Sequence, residues 1–226
     1  MYSFAQRTDT KVVDEPLYGH FLRVTGAQHP LRDRVLAAVN TDGNDVMQRL
    51  LSEPADEVVK ILFMKQMAHH LVDLDQSFMR QTHNIFLIRD PREMLPSLTI
   101  QLPDAGLDDT GLATQWRLFE RLVENGQSPA VLDSRELLLD PGGILGKLCK
   151  HLNIDYTNDM LTWPVGARPE DGIWGPHWYH AVHESSGFSP YVTKDNFPER
   201  LDALLEECKP WYDKLFAHAI IATGGQ

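Results

Sequence analysis

The chain has 226 residues, 42% of them hydrophobic and 23% charged, the proportions of a globular protein long enough for one domain with a substantial core, which excludes wholesale disorder and fibrous repeats. A formal charge of −11 argues against a nucleic-acid surface, which needs basic stripes, so any phosphate must be met by a few local cations. Two cysteines, Cys149 and Cys208, are too few for a disulfide framework or a zinc ligand set; no apolar run reaches the length of a membrane span, the start lacks a signal pattern, and a cytoplasmic protein is the expectation.

Residues 1–7 read as the end of a helix, since Tyr2 and Phe4 are apolar and no capping residue precedes them. Lys11-Val12-Val13-Asp14, closed by Glu15-Pro16, reads as a short strand. Residues 31–39 and 46–51 carry helical spacing on either side of a turn-prone Asn-Thr-Asp-Gly-Asn. The run from Val58 to Met64 is nearly all apolar and predicts a strand buried on both faces, with Lys65 at its end. A helix is expected through Leu71, Leu74, Phe78 and Met79, then a second buried strand over 84–88, and Arg89-Asp90-Pro91-Arg92 opens another helix. A helix over 112–123 stops at Asn125-Gly126, Ala130-Val131-Leu132 forms a strand, and 144–152 a helix. Strands alternating with helices imply α/β architecture with a parallel sheet and helical crossovers. Beyond Thr162 comes an aromatic segment, 163–191, then a closing helix from 198 to about 220, broken at Pro210.

In parallel α/β sheets, ligands gather beyond the C-terminal ends of the strands. Those ends carry Asp14 and Glu15, then Lys65 with His69 and His70, then Arg89, Asp90 and Arg92. Arg89 is placed to fork onto a phosphate while Pro91 at the first helical position aims backbone donors at the same anion, and Ser97 adds a hydroxyl; a surface ion pair between Arg89 and a neighbouring acid fits the spacing equally. Glu15 suits a general base or a turn-capping acid, and Lys65 a charge-balancing cation or a surface lysine. His70 is a second choice of base. His177, His180 and His183 would line one helical face, but no carboxylate or cysteine supports them at metal-ligand spacing, so no metal is expected. Trp174, Trp178, Tyr179 and Phe188 fit an adenine or acceptor pocket as well as plain core. Pro141-Gly142-Gly143-Ile144-Leu145-Gly146-Lys147-Leu148 fails the Walker spacing at its first and last positions and reads as a glycine turn opening a helix.

The order apolar strand, Arg89, short turn with proline, Ser97 resembles the 3′-phosphate-binding motif of sulfotransferases. The resemblance continues through residues 132–141 (strand, acidic turn, leucines, Asp-Pro) and the helix after them, and covers most of the chain from Val12 to Leu152. Val12-Val13-Asp14-Glu15-Pro16-Leu17-Tyr18 and residues 172–179 resemble a bacterial and plant subgroup of sulfotransferase-like proteins, some of them described alongside aminotransferases. The resemblance implies a three-layer α/β/α fold of the P-loop nucleoside triphosphate hydrolase type. It implies transfer of a sulfuryl group from 3′-phosphoadenosine 5′-phosphosulfate to a hydroxyl or amine of a small molecule, without a metal, with Glu15 as base, Lys65 balancing charge, and Arg89 and Ser97 on the 3′-phosphate. Such enzymes open with a strand and a loop that cradles the 5′-phosphosulfate. Residues 1–7 resemble the helix after that loop, so the first strand and loop are expected to be missing and activity to need their supply. The alternative is a noncatalytic binding protein of the same truncated fold; a kinase-like phosphotransferase is disfavoured by the lack of a Walker lysine and a magnesium ligand set.

Overall fold

The computed structural model describes residues 1–53, 57–193 and 196–223. In chain order the elements are β1 (Thr10–Asp14), α1 (Tyr18–Thr25), α2 (Arg32–Ala38), α3 (Gly43–Ser52), β2 (Ile61–Lys65), β3 (Ile85–Ile88), α4 (Pro91–Gln101), α5 (Leu107–Thr110), α6 (Leu112–Glu124), β4 (Ala130–Asp133), α7 (Ser134–Leu139), α8 (Pro141–His151), α9 (Gly175–Trp178), α10 (His180–His183), α11 (Asp202–Phe216) and β5 (Ala219–Ile220). Helices fill each crossover and every strand pair is parallel, which is the expected α/β class. The strands form two hydrogen-bonded sets, β1-β2 and β3-β4-β5, where one sheet was expected. They belong to two compact units, Met1–Phe78 with Thr157–Phe188, and Met79–Tyr156 with Ser189–Gln226.

In the first unit the pairing of β1 and β2 runs from Thr10 opposite Ile61 to Asp14 opposite Lys65, so both strands end level and present an acid beside a cation. Glu15 N–H extends the ladder by donating to Lys65 O at 2.8 Å. The chain then reverses, with Glu15 in the left-handed region at φ +40 and Tyr18 N–H donating to Glu15 O at 2.9 Å. Helix α1 buries Tyr18 and Leu22 and ends at Gly26, whose φ of +69 favours glycine and whose N–H caps Leu22 O. Asp42 caps α3 by accepting from Asn44 and Asp45 N–H. Tyr18, Leu22, Val35 and Trp174 form a core cluster. Phe4 stacks on Phe63 at 4.2 Å. Residues 157–188 return to this unit through a bridge between Thr162 and Gly187 and through Asp171, which accepts from the Tyr2 hydroxyl at 2.7 Å.

In the second unit β4 is buried at all four positions, between β3 and β5, as its apolar run requires. Asp133 at its end caps α7 and takes the Tyr212 hydroxyl at 3.1 Å. Helix α11 packs on α4 and α6, burying Leu205, Cys208 and Leu215.

Several expectations are corrected. The second strand begins at Ile61, not Val58, which is 62% exposed, and no residue of β2 is fully buried. In β3 only Phe86 and Ile88 turn inward, while Leu87 is 57% exposed. Residues 71–79 form no α-helix: two 3-10 turns, Ala68–His70 and Ser77–Gln81, flank Asp73, whose φ of +42 breaks the helical path. Only Phe4–Gln6 of the first seven residues is helical, as a 3-10 turn. Helix α11 continues through Pro210 and ends at Phe216, and the last element among the described residues is β5 rather than helix. Pro141-Gly142-Gly143 opens α8, as read, with Asp140 accepting from Gly143 N–H at 2.9 Å.

Candidate active site

The level ends of β1 and β2 gather Asp14, Glu15 and Lys65, and the 172–179 segment adds Gly172, Trp174 and Tyr179. The Lys65 ammonium makes a short ion pair with Glu15 and lies 3.4 Å from Asp14 Oδ1. It also donates to the Tyr179 hydroxyl oxygen at 2.7 Å, with the Tyr179 ring centroid 4.8 Å away. The Asp14 side chain has no exposed surface. Its Oδ2 accepts from Gly172 N–H at 3.2 Å and Trp174 Nε1–H at 3.0 Å, and the Tyr179 hydroxyl stands 2.8 and 2.9 Å from its two oxygens. The same hydroxyl lies 3.1 Å from Glu15 Oε1. Burial first, then the charges of Glu15 and Asp14, push the Tyr179 phenol well above its ordinary value, so it keeps its proton and acts as a donor toward the acids. Glu15 has a left-handed backbone at the strand exit, and such strain is held in place by the ladder bond before it and the α1 start after it.

His70 stands five residues beyond Lys65 but is 1% exposed, stacked on Phe21 at 4.7 Å and Tyr18 at 5.2 Å, with no hydrogen-bond partner for Nδ1 among the described residues. Burial, with the charges of His69, Lys65 and His29, lowers its affinity for a proton to a pKa of about 2, so it stays neutral and is a feeble base. In the other unit, Arg89 at the end of β3 lies 3.6 Å from Glu93 Oε2. Ser97 is exposed on α4 and donates to Met94 O at 2.8 Å within its own helix. The first donor of α4 is not open to an anion as expected: Asp90 caps the helix by accepting from Arg92 N–H at 2.8 Å. His177, His180 and His183 do not share a helix face, because Tyr179 separates α9 from α10. His183 Nε2 instead meets Asp171 Oδ2 at 2.9 Å, and among the described residues no group of three or more His, Cys, Asp or Glu side chains is set to hold a metal ion.

A family model described as the sulfotransferase domain matches residues 1–219. The chain belongs to the sulfotransferase family. Two curated relatives from Arabidopsis thaliana, branched-chain-amino-acid aminotransferase-like proteins 2 and 1, are 37% and 40% identical over 220 residues, or 96% of the chain. The chain spans 39% of the length of each. A solved sulfotransferase domain from the curacin biosynthetic pathway aligns with 90% of this sulfotransferase domain and 72% of its own chain, at 14% identity and a TM-score of 0.37.

Within this sulfotransferase domain, Glu15 and Lys65 form an ion pair, and His70, five residues beyond Lys65, lies buried among aromatic rings. Three functional candidates were not legible in their roles. The sequence places Asp14 at the strand end without giving it a task, and Trp174 and Tyr179 in an aromatic group that fits a pocket as well as plain core. The signal that pointed to them was the matching 172–179 segment; the contact itself joins residues 165 apart in sequence, which no local pattern encodes.

Proposed function

We propose that this domain catalyses transfer of a sulfuryl group from 3′-phosphoadenosine 5′-phosphosulfate to a hydroxyl or amine of a small molecule. The observation that carries the reading is the Glu15–Lys65 pair held level at the C-terminal ends of two parallel strands, where α/β proteins place their chemistry. Glu15, with 11% of its side chain exposed, takes the acceptor proton as the acceptor atom attacks sulfur. The bond from sulfur to the 5′-phosphate oxygen breaks, its electron pair stays on that oxygen, and Lys65 offsets the charge that develops there. No metal enters the scheme. Arg89 and Ser97 are assigned to the 3′-phosphate, which would replace Glu93 as the partner of Arg89, an exchange made easy by the weakness of a 3.6 Å pair at a 40% exposed guanidinium. His70 is not assigned the base, because its proton affinity is too low.

Calorimetric titration with adenosine 3′,5′-bisphosphate tests the donor assignment. Saturable binding that Arg89→Ala weakens at least tenfold supports it; a folded protein that shows no binding heat, or binds equally well with Arg89→Ala, counts against it.

A further inference from the structure

The two adjacent acids at the end of β1 are both buried but differ in their partners and in how much of the side chain stays open. Asp14 is enclosed and receives Gly172 N–H, Trp174 Nε1–H and the Tyr179 hydroxyl. Glu15 keeps part of its side chain open and meets Lys65 and the Tyr179 hydroxyl. Two carboxylates against one ammonium leave an excess negative charge in a largely enclosed place, and the donors on Asp14 offset it. Asp14 is thereby occupied in holding the 172–179 segment, while Glu15 is left for chemistry.

Tyr179 is the side chain that joins the two halves of this arrangement. Its single proton can serve one acid at a time, and Asp14 at 2.8 Å is nearer than Glu15 at 3.1 Å. Its oxygen then accepts from the Lys65 ammonium, which also rests over the ring. Gly172 and Trp174, bonded to the same carboxylate from the same segment, fix where Tyr179 stands. Gly172 admits no side chain there, since a Cβ would lie 2.1 Å from the Trp174 ring.

We propose that Tyr179, fixed by Asp14, is a positioning residue that holds the Lys65 ammonium against the Glu15 carboxylate and so sets that pair for sulfuryl transfer. The inference rests on the roles given to Glu15 and Lys65 under the proposed function. Tyr179→Phe removes only the oxygen and leaves the ring. The full-length protein is treated with an amine-acylating ester, and the labelling rate of Lys65 is read by peptide mass spectrometry against Lys209 as internal reference. A severalfold faster labelling of Lys65 in Tyr179→Phe is expected, and Asp14→Asn reproduces it by loosening Tyr179. In the transfer assay, Tyr179→Phe lowers kcat roughly ten- to a hundredfold, the loss of one hydrogen bond to a charged group, with the donor KM changed less than about twofold. Unchanged Lys65 labelling in Tyr179→Phe overturns the proposal, even where Asp14→Asn fails to fold, and so does a wild-type kcat. If the wild-type protein transfers no sulfuryl group, the catalytic reading falls by itself, and the labelling arm still decides whether Tyr179 holds Lys65.

Discussion

Replacing Asp14 by alanine is the severest single test of how the site is held. The carboxylate has no exposed surface and its Oδ2 serves a buried indole N–H and the Gly172 amide. Removing it leaves the Trp174 donor buried without an acceptor, at about 1–3 kcal/mol, while the partly buried Gly172 amide can turn in part to water, the Tyr179 hydroxyl can move to Glu15, and Lys65 keeps Glu15. The net loss works out at about 2–4 kcal/mol, less than the sum over the four donors to Asp14, because Gly172, Tyr179 and Lys65 find substitutes and the Trp174 N–H does not. Urea unfolding followed by tryptophan fluorescence measures it, with Trp174→Phe as the companion variant because it keeps most of the ring packing on Tyr18. A double-mutant cycle between the two changes should return a coupling of about 1–2 kcal/mol. A loss below about 0.5 kcal/mol for Asp14→Ala, or no coupling, would refute the claim that this carboxylate anchors the 172–179 segment.

Gly172→Ala should destabilise by about 1–3 kcal/mol and shift the tryptophan emission, because the added methyl group collides with the Trp174 ring; a stable variant with unchanged emission contradicts the packing described. His70 binds its proton far less readily folded than unfolded, so below about pH 6.5 the unfolded chain gains a proton the folded protein refuses, and stability falls as pH drops. His70→Phe should therefore flatten the pH dependence of unfolding free energy between about pH 6 and 5 by up to about 1.4 kcal/mol per pH unit; an unaltered slope would show that His70 is hydrated. Cys149 and Cys208 are both buried, and burial pushes the Cys208 thiol up, so neither should react with a thiol reagent until denaturant is added. Rapid titration of either thiol in native buffer would contradict this.

Much of the fold could be read in the sequence because its strands are apolar runs with marked exits. Pro16 closes β1, Pro91 opens α4, and Asn125-Gly126 ends α6, each through a backbone restriction that acts locally. Misreadings arose where tertiary context decides. Val58 and Leu87 are apolar enough for a buried strand, yet both are exposed, because burial depends on what covers a face rather than on the residue itself. Asp73 gives only a weak local mark of its left-handed backbone, since aspartate visits that region more often than most residues but usually does not, and the apolar spacing over 71–79 outweighs it. Helix α1 went unread because Gly19 and His20 interrupt its pattern, although in the folded chain Gly19 lies against the Val39 side chain and the His20 Nε2 bonds Val72 O at 2.7 Å. In the site, the types and order of Glu15 and Lys65 were legible, while the capture of both by Tyr179 depends on a segment that returns from far along the chain.

The role proposed for Glu15, base for sulfuryl transfer beside Lys65, is tested by transfer of radiolabelled sulfuryl from 3′-phosphoadenosine 5′-phosphosulfate by the full-length protein to a panel of alcohols and amines, with Glu15→Gln in parallel. Labelled product with the wild-type protein and a fall of roughly a hundredfold or more in kcat for Glu15→Gln, with adenosine 3′,5′-bisphosphate binding retained, are expected from that role. Transfer by Glu15→Gln at the wild-type rate, or no product from the wild-type protein on any acceptor, would contradict it.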